Sequence, residues 1–292
     1  MIRALAILLS LLAAVALAFG AQFQNDSIEK NVDKVKGAKR GVGISNFLAL
    51  LKNPRWLGGM SFLVLGALCQ IAALTMAPLI VVQPIGALAL VITALLNARS
   101  TKTPITKATW VAIALCTGGI ATFVSLATGI AQDQRELSDA NLYVILGILA
   151  FLLVALGTVF LVQRQRMNAL TFILGAGLLY GLLATLVKSV IQRIQQSHFE
   201  WLTVICLVAA VLAMALGGWF VQNAYASGPP DLVIAGLTVI DPMVAVTIGI
   251  IVLGEASSAS PLISVIFAAS GATAALGVWL LSRVHPELKA QR

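Results

Sequence analysis

The chain has 292 residues, of which 60% are hydrophobic and 10% charged, with a formal net charge of +8. A soluble domain carries charge on roughly a quarter of its residues, so this composition, with a mean hydropathy of +0.99, excludes a water-soluble fold. The excess of positive charge does not point to nucleic acid: the basic residues lie mainly in short segments between apolar runs, where an anionic membrane surface accounts for them.

Nine apolar runs are long enough to cross a hydrocarbon layer of ~30 Å at ~1.5 Å per residue. They lie at about 3–23, 56–76, 79–98, 108–128, 141–163, 168–189, 201–222, 232–252 and 260–282. Each is predicted to be a helix, because lipid offers no partner for backbone N–H and C=O. A β-barrel is excluded by the lack of alternation, since the runs are apolar on both parities. The first run also has features of a signal peptide: Arg3, an apolar core, and the small residues Ala18, Gly20 and Ala21. A chain that needs insertion anyway can use the segment as its first span, and cleavage would leave one helix fewer.

The connection 25–55 carries Lys30, Lys34, Lys36, Lys39, Arg40, Lys52 and Arg55. Arg99, Lys102 and Lys107 mark the third connection, Arg164 and Arg166 the fifth, and Arg283, Lys289 and Arg292 the tail. If the spans alternate, these residues share one side, the cytoplasm, with the N-terminus outside and the C-terminus inside. Fifteen of the 19 basic residues then lie inside; the others are Arg3, Arg135, Lys188 and Arg193. Trp56, Trp110 and Trp201 begin spans and suit interfacial anchoring. The stretch 41–53, with Phe47, Leu48, Leu50 and Leu51, suits a short helix on the inner membrane surface or a plain loop. Cys69, Cys116 and Cys206 read as small packed hydrophobes.

Two hairpins share a pattern. In Gly66–Leu96 and Gly217–Glu255, a glutamine near the end of one span (Gln70 or Gln222) is followed eight positions later by a turn proline (Pro78 or Pro230). A valine follows (Val81 or Val233), then a proline within the next helix (Pro84 or Pro242). In the nine-span topology the two turns face opposite sides, so the copies are inverted, as in many alternating-access transporters.

Several residues can carry chemistry. Pro84 and Pro242 each free a carbonyl four residues earlier, at Ile80 and Thr238. Asp241 is the one acidic residue well inside a predicted span, where a carboxylate must be paired, hydrated or neutral. It can bind a cation or proton, and as such is the candidate metal ligand, or it can bond a neighbouring helix. Lys188 can reach inward toward Asp241 or snorkel to the outer headgroups. Gln70, Gln83, Gln222 and Asn223 supply amides and Tyr180 a hydroxyl, which can coordinate a solute or join helices. Glu255 is read as an interfacial carboxylate at the outer end, and Asp231 as a cap for its helix. Gly177, Gly181 and Thr185, like Ala269, Thr273 and Gly277, recur every four positions and permit close backbone approach. No nucleotide loop, HExxH site or nucleophile elbow occurs, so no cofactor is expected and an intramembrane enzyme has little support.

The segments MAPLIVVQPIGALALVITALL (Met76–Leu96) and GLTVIDPMVAVTIGIIVLGE (Gly236–Glu255) resemble the drug/metabolite transporter superfamily, and within it the NIPA-like magnesium transporters. The resemblance implies an all-α inverted-repeat bundle, alternating access, and a central solute cavity that maps onto Gln83, Pro84, Asp241 and Pro242. Divided at the polar outer connection 129–140, the nine spans fall four plus five, as 1–128 with the basic loop 25–55 and 129–292. The resemblance implies a secondary transporter in the cell membrane that carries magnesium or another divalent cation. A small organic metabolite or drug is the alternative cargo, and a non-transporting membrane scaffold a second alternative. The expected partners are the solute and the lipid bilayer; oligomeric state is open, with a homodimer one option.

Overall fold

The computed structural model describes residues 2–32, 54–100, 105–131, 137–163, 167–197, 199–228, 230–257 and 259–284. The basic segment 34–52 and the stretch 41–53 expected to lie on the membrane surface fall outside the described residues.

Ten helices occur among the described residues: α1 (Ile2–Val32), α2 (Pro54–Met76), α3 (Leu79–Gly86), α4 (Leu88–Ser100), α5 (Lys107–Ile130), α6 (Asp139–Gln163), α7 (Ala169–Gln195), α8 (Trp201–Ser227), α9 (Pro230–Ile251) and α10 (Pro261–Val284). α3 and α4 make one span, interrupted at Ala87, so nine helical units are long and apolar enough to cross a membrane. The predicted runs and the helices coincide within a few residues except at α1 and α7, which run on to Val32 and Gln195. The protein is an all-helical integral membrane protein.

Local chemistry sets several helix ends. Thr106 and Asn168 accept from the amides of Thr109 and Thr171 and so cap α5 and α7, satisfying amides that lack an intrahelical partner. Arg3 does the same for the carbonyl end of α5, donating to Thr128 O at 2.5 Å and Ala131 O at 2.8 Å.

Glycines decide which helices meet. Lipid provides no hydrophobic drive between helices, so association depends on close packing, and small residues permit it. A Cβ on Gly277 would stand 2.2 Å from Cys116 N, and one on Gly119 would stand 2.5 Å from Ala274 N, so α5 and α10 touch backbone to backbone. Gly177 and Gly181 receive Ile240 and Val244, pressing α7 onto α9. Gly20 receives Leu63, and Gly66 receives Leu17, joining α1 to α2, while Gly217 receives the Tyr180 ring across α7 and α8. In the α10 stripe Gly277 makes the close approach, but Ala269 is exposed.

The packing has a regular plan. The first span packs on the second as the sixth does on the seventh, and on the third as the sixth does on the eighth; the fourth and ninth pack on each other. The fifth span, α6, lies at the periphery with Phe151, Val154 and Leu161 facing outward. Trp110 and Trp201 are exposed, as interfacial anchors should be; Trp56 is buried and packs inside the bundle instead.

Candidate functional site

The site residues expected from sequence fall into three places. The first is the interruption in the third span. Pro84 has no N–H to donate, and α3 ends two residues later; the Ala87 amide turns back to Pro84 O at 3.2 Å before α4 resumes. Pro84 and Ala87 line a cavity of about 90 Å³ together with Ile120 and Phe123 of α5, Thr238, Val239 and Pro242 of α9, and Val278 of α10. The two intrahelical prolines thus meet across one cavity, although 158 positions separate them in the chain. Its lining is almost wholly apolar. Thr238 spends its hydroxyl on Ile234 O. Gln70 turns its amide toward the interruption, with Nε2 4.0 Å from where a Gly86 Cβ would stand, and its Oε1 is buried without a hydrogen-bond partner. Gln83 is buried at 8% exposure, but it does not line the cavity.

The second place is the α7–α9 contact. Asp241 is the twelfth of the 22 residues of α9, near mid-membrane depth. Its Oδ1 is enclosed and has no hydrogen-bond partner. A buried polar atom without a partner costs roughly 1–3 kcal/mol, and more when charged, so this group is held there against its own preference for water. The approach of α9 to Gly177 and Gly181 puts the Asp241 backbone 2.9 to 3.5 Å from where their β carbons would stand. Tyr180, one residue before Gly181, lies within reach of the Asp241 charge, and Tyr225 of α8 neighbours Tyr180. Tyr225 had no distinguishing signal in the sequence. Pro242 lines the cavity and Asp241, adjacent to it in sequence, does not.

The third place is one end of the bundle, around the turn at Pro78. Lys188 is 3% exposed and donates to Leu74 O at 2.6 Å and Ala77 O at 2.9 Å. It therefore neither snorkels outward nor pairs with Asp241. The carbonyls at the end of α2 lack intrahelical partners and attract a cation, which is why Lys188 turns inward. Glu255, expected at the exposed interface, is 5% exposed. Its carboxylate accepts from Leu79 N at 2.9 Å and Ile80 N at 3.0 Å. Gly254, at φ 68°, supplies the left-handed turn past α9 that swings Glu255 back over the bundle, a conformation costly for other residues. Burial pushes the Glu255 carboxyl above the usual carboxylate range, against the opposing pull of the two amides and of Lys188.

Gln195 joins the same end, donating to Thr75 O at 2.9 Å. Nearby, buried Arg193 pairs with Asp139 at 2.6 Å and donates to Leu137 O at 3.2 Å. Lys188, Gln192 and Gln195 follow a spacing of four and three, so one polar stripe on α7 was visible in the sequence. The inward turn of Glu255 was signalled only by Gly254.

The remaining amides are peripheral. Gln222 is exposed, and Asn223 spends its amide on Trp219 O within its own helix. The side chain of Asp231 lies outside the described residues. Among the described residues, no three His, Cys, Asp or Glu side chains gather closely enough to hold a metal ion.

The family model described as Magnesium transporter NIPA matches residues 2–198, two thirds of the chain, from α1 through α7. The chain belongs to the NIPA magnesium-transporter family. This places it among transporters rather than enzymes. The NIPA match includes the interrupted span with Gln83 and Pro84, and Tyr180 and Lys188; Asp241 and Glu255 lie beyond it. An uncharacterized protein of Corynebacterium glutamicum is 25% identical over 86% of this chain and 85% of its own length. A protein named probable magnesium transporter NIPA9, from Arabidopsis thaliana, is 24% identical over 73% of this chain and 64% of its own. A probable magnesium transporter of Candida albicans is 44% identical over a shorter stretch, 21% of this chain and 16% of its own. No solved structure gives a significant match.

Proposed function

We propose that this NIPA-family protein is a secondary transporter of magnesium or a similar divalent cation, working by alternating access, with Asp241 on the cation's path. The observation that carries this reading is the enclosed, partnerless Oδ1 of Asp241 at mid-membrane depth. A carboxylate kept in such a place in a transporter has its natural partner in the cargo. The two relatives named as probable magnesium transporters favour that cargo. Magnesium dehydrates reluctantly and needs few protein carboxylates when it keeps several waters, so one deep acid with Tyr180 beside it suffices.

The repeated packing supports an inverted repeat within a drug/metabolite-transporter-like bundle. Spans one to four pair off with spans six to nine in this packing, and with α6, which lies between them in sequence, counted in the second half, the packing is consistent with a division into 1–128 and 129–292. The distribution of basic residues puts the N-terminus outside the cell membrane and the C-terminus in the cytoplasm.

The test is Mg²⁺ flux into liposomes containing the purified protein, with Asp241→Asn and empty liposomes as controls. Flux that depends on the wild-type protein and falls to the empty-liposome level in the variant is the expected result. Undiminished flux through Asp241→Asn would remove Asp241 from the path. A second reading, carriage of a small organic solute, rests on the apolar lining between Pro84 and Pro242. It gains if folded wild-type protein moves no divalent cation.

A further inference from the structure

We propose that Glu255 is a clasp that holds the Pro78 end of the bundle shut, so that its release from Leu79 and Ile80 is the step that opens this end toward the interior. The inference rests on the transporter reading, and it concerns residues that reading does not use.

Three side chains grip one short stretch, residues 74–80. Lys188 holds Leu74 O and Ala77 O, Gln195 holds Thr75 O, and Glu255 holds the amides of Leu79 and Ile80. All three belong to the latter part of the chain, and the stretch they hold is the turn of the first hairpin. Every amide from Leu79 to Val82 has an acceptor. Val81 N and Val82 N both bond to Pro78 O, whereas Leu79 and Ile80, the first two residues of α3, have no acceptor in their own helix. Glu255 supplies both acceptors from beyond the end of α9. Packing holds it in place, since a Cβ on Gly249 would stand 2.8 Å from its Oε2.

Position makes the contact a closure rather than a local cap. Pro84 and Ala87, which line the cavity shared with α9 and α10, lie one to two helical turns below Leu79, about 8–12 Å at helical rise. Separating residues 74–80 from Glu255 and Lys188 would uncover the interrupted span and the cavity behind it. The bonds that must break are few, short and confined to one face. A bond between a carboxylate and a backbone amide is charge-assisted, so the clasp is strong enough to hold one state and weak enough to be released within a cycle.

The experiment is labelling by a membrane-impermeant maleimide in reconstituted full-length protein. Cys69→Ala removes the one partly exposed native cysteine; Cys116 and Cys206 are fully buried. Reporters are Ala77→Cys in the clasped turn and Ala98→Cys at the far end of the span that follows it, both buried in the wild type. Glu255→Gln replaces one acceptor oxygen with a donor and should raise the labelling rate at Ala77→Cys by about tenfold, the equivalent of one lost charge-assisted bond, while Ala98→Cys is unchanged. Equal rates at Ala77→Cys with and without Glu255→Gln overturn the proposal, and so does a parallel rise at both reporters, which would mean general loosening. Should Glu255→Gln fail to fold, hydrogen exchange of the wild type decides: the Leu79 and Ile80 amides must be protected together, and free exchange of either overturns the clasp. Labelling and exchange do not depend on the cargo. A wild type that moves no solute while the labelling result stands would sink the transporter reading and leave the clasp; flux with unchanged labelling would do the reverse.

Discussion

The end of the bundle at Pro78 and its middle around Asp241 treat buried polar groups in opposite ways. At the end, Lys188 meets the carbonyls of Leu74 and Ala77, Glu255 meets the amides of Leu79 and Ile80, and Arg193 meets Asp139 and Leu137. Gln192 Oε1 and Arg193 Nε are the exceptions there. Away from that end, Asp241 Oδ1 and Gln70 Oε1 are buried with nothing to bond. The difference separates polar groups that build the fold from those that wait on something else. A charge matched by backbone groups stabilises one arrangement, whereas a charge left unmatched at mid-depth costs stability and gains a partner only when a solute arrives.

The largest expected effect tests the end. Lys188→Met removes the donors to Leu74 O and Ala77 O, leaving two buried carbonyls unpaired at about 1–3 kcal/mol each, and takes away the cation that offsets Glu255. A large fall in thermal stability in detergent is expected, with Lys188→Met combined with Glu255→Gln recovering much of it. A double variant no better than the single one would show that the two side chains do not act together. Packing comes next. Gly277→Leu forces atoms into the Cys116 backbone, 2.2 Å from the new Cβ, and should cost about 2–3 kcal/mol. Gly118→Ala, with nothing within 4 Å, should be neutral or stabilising by up to about 1 kcal/mol. Matched losses at the two glycines would contradict the α5–α10 contact. The smallest effect carries the comparison furthest: Asp241→Asn should leave stability unchanged or raise it by about 1 kcal/mol, since it removes an unmatched charge, even as Mg²⁺ flux is lost. A fall in unfolding temperature comparable to that of Lys188→Met would place Asp241 among the fold-building groups and erase the distinction.

Much of the site was visible as residues but not as an arrangement. Pro84 and Pro242 were singled out by their helix-internal positions, and Asp241 by its depth; each property is read along one segment. That the prolines face one cavity while Asp241 faces α7 depends on which side of α9 each neighbour occupies, and this is set by the glycine contacts between helices. Lys188 and Glu255 both lie elsewhere than hydropathy alone places them, for one reason. Hydropathy places a charged residue at a span end and offers it the headgroups, but here the unpartnered carbonyls of α2 and amides of α3 lie closer and bind more strongly than water at the rim.

The sequence by itself determined nine apolar segments long enough to cross a membrane as helices, where most of them begin and end, and that the chain resembles the NIPA-like transporters, because apolar length, charge exclusion and the proline-bearing hairpin are properties of contiguous segments. Only the tertiary structure decided which polar groups are satisfied and which are left over. Satisfaction is a relation between segments far apart in the chain, such as Glu255 with Leu79 and Lys188 with Leu74, and no pattern within either segment specifies it.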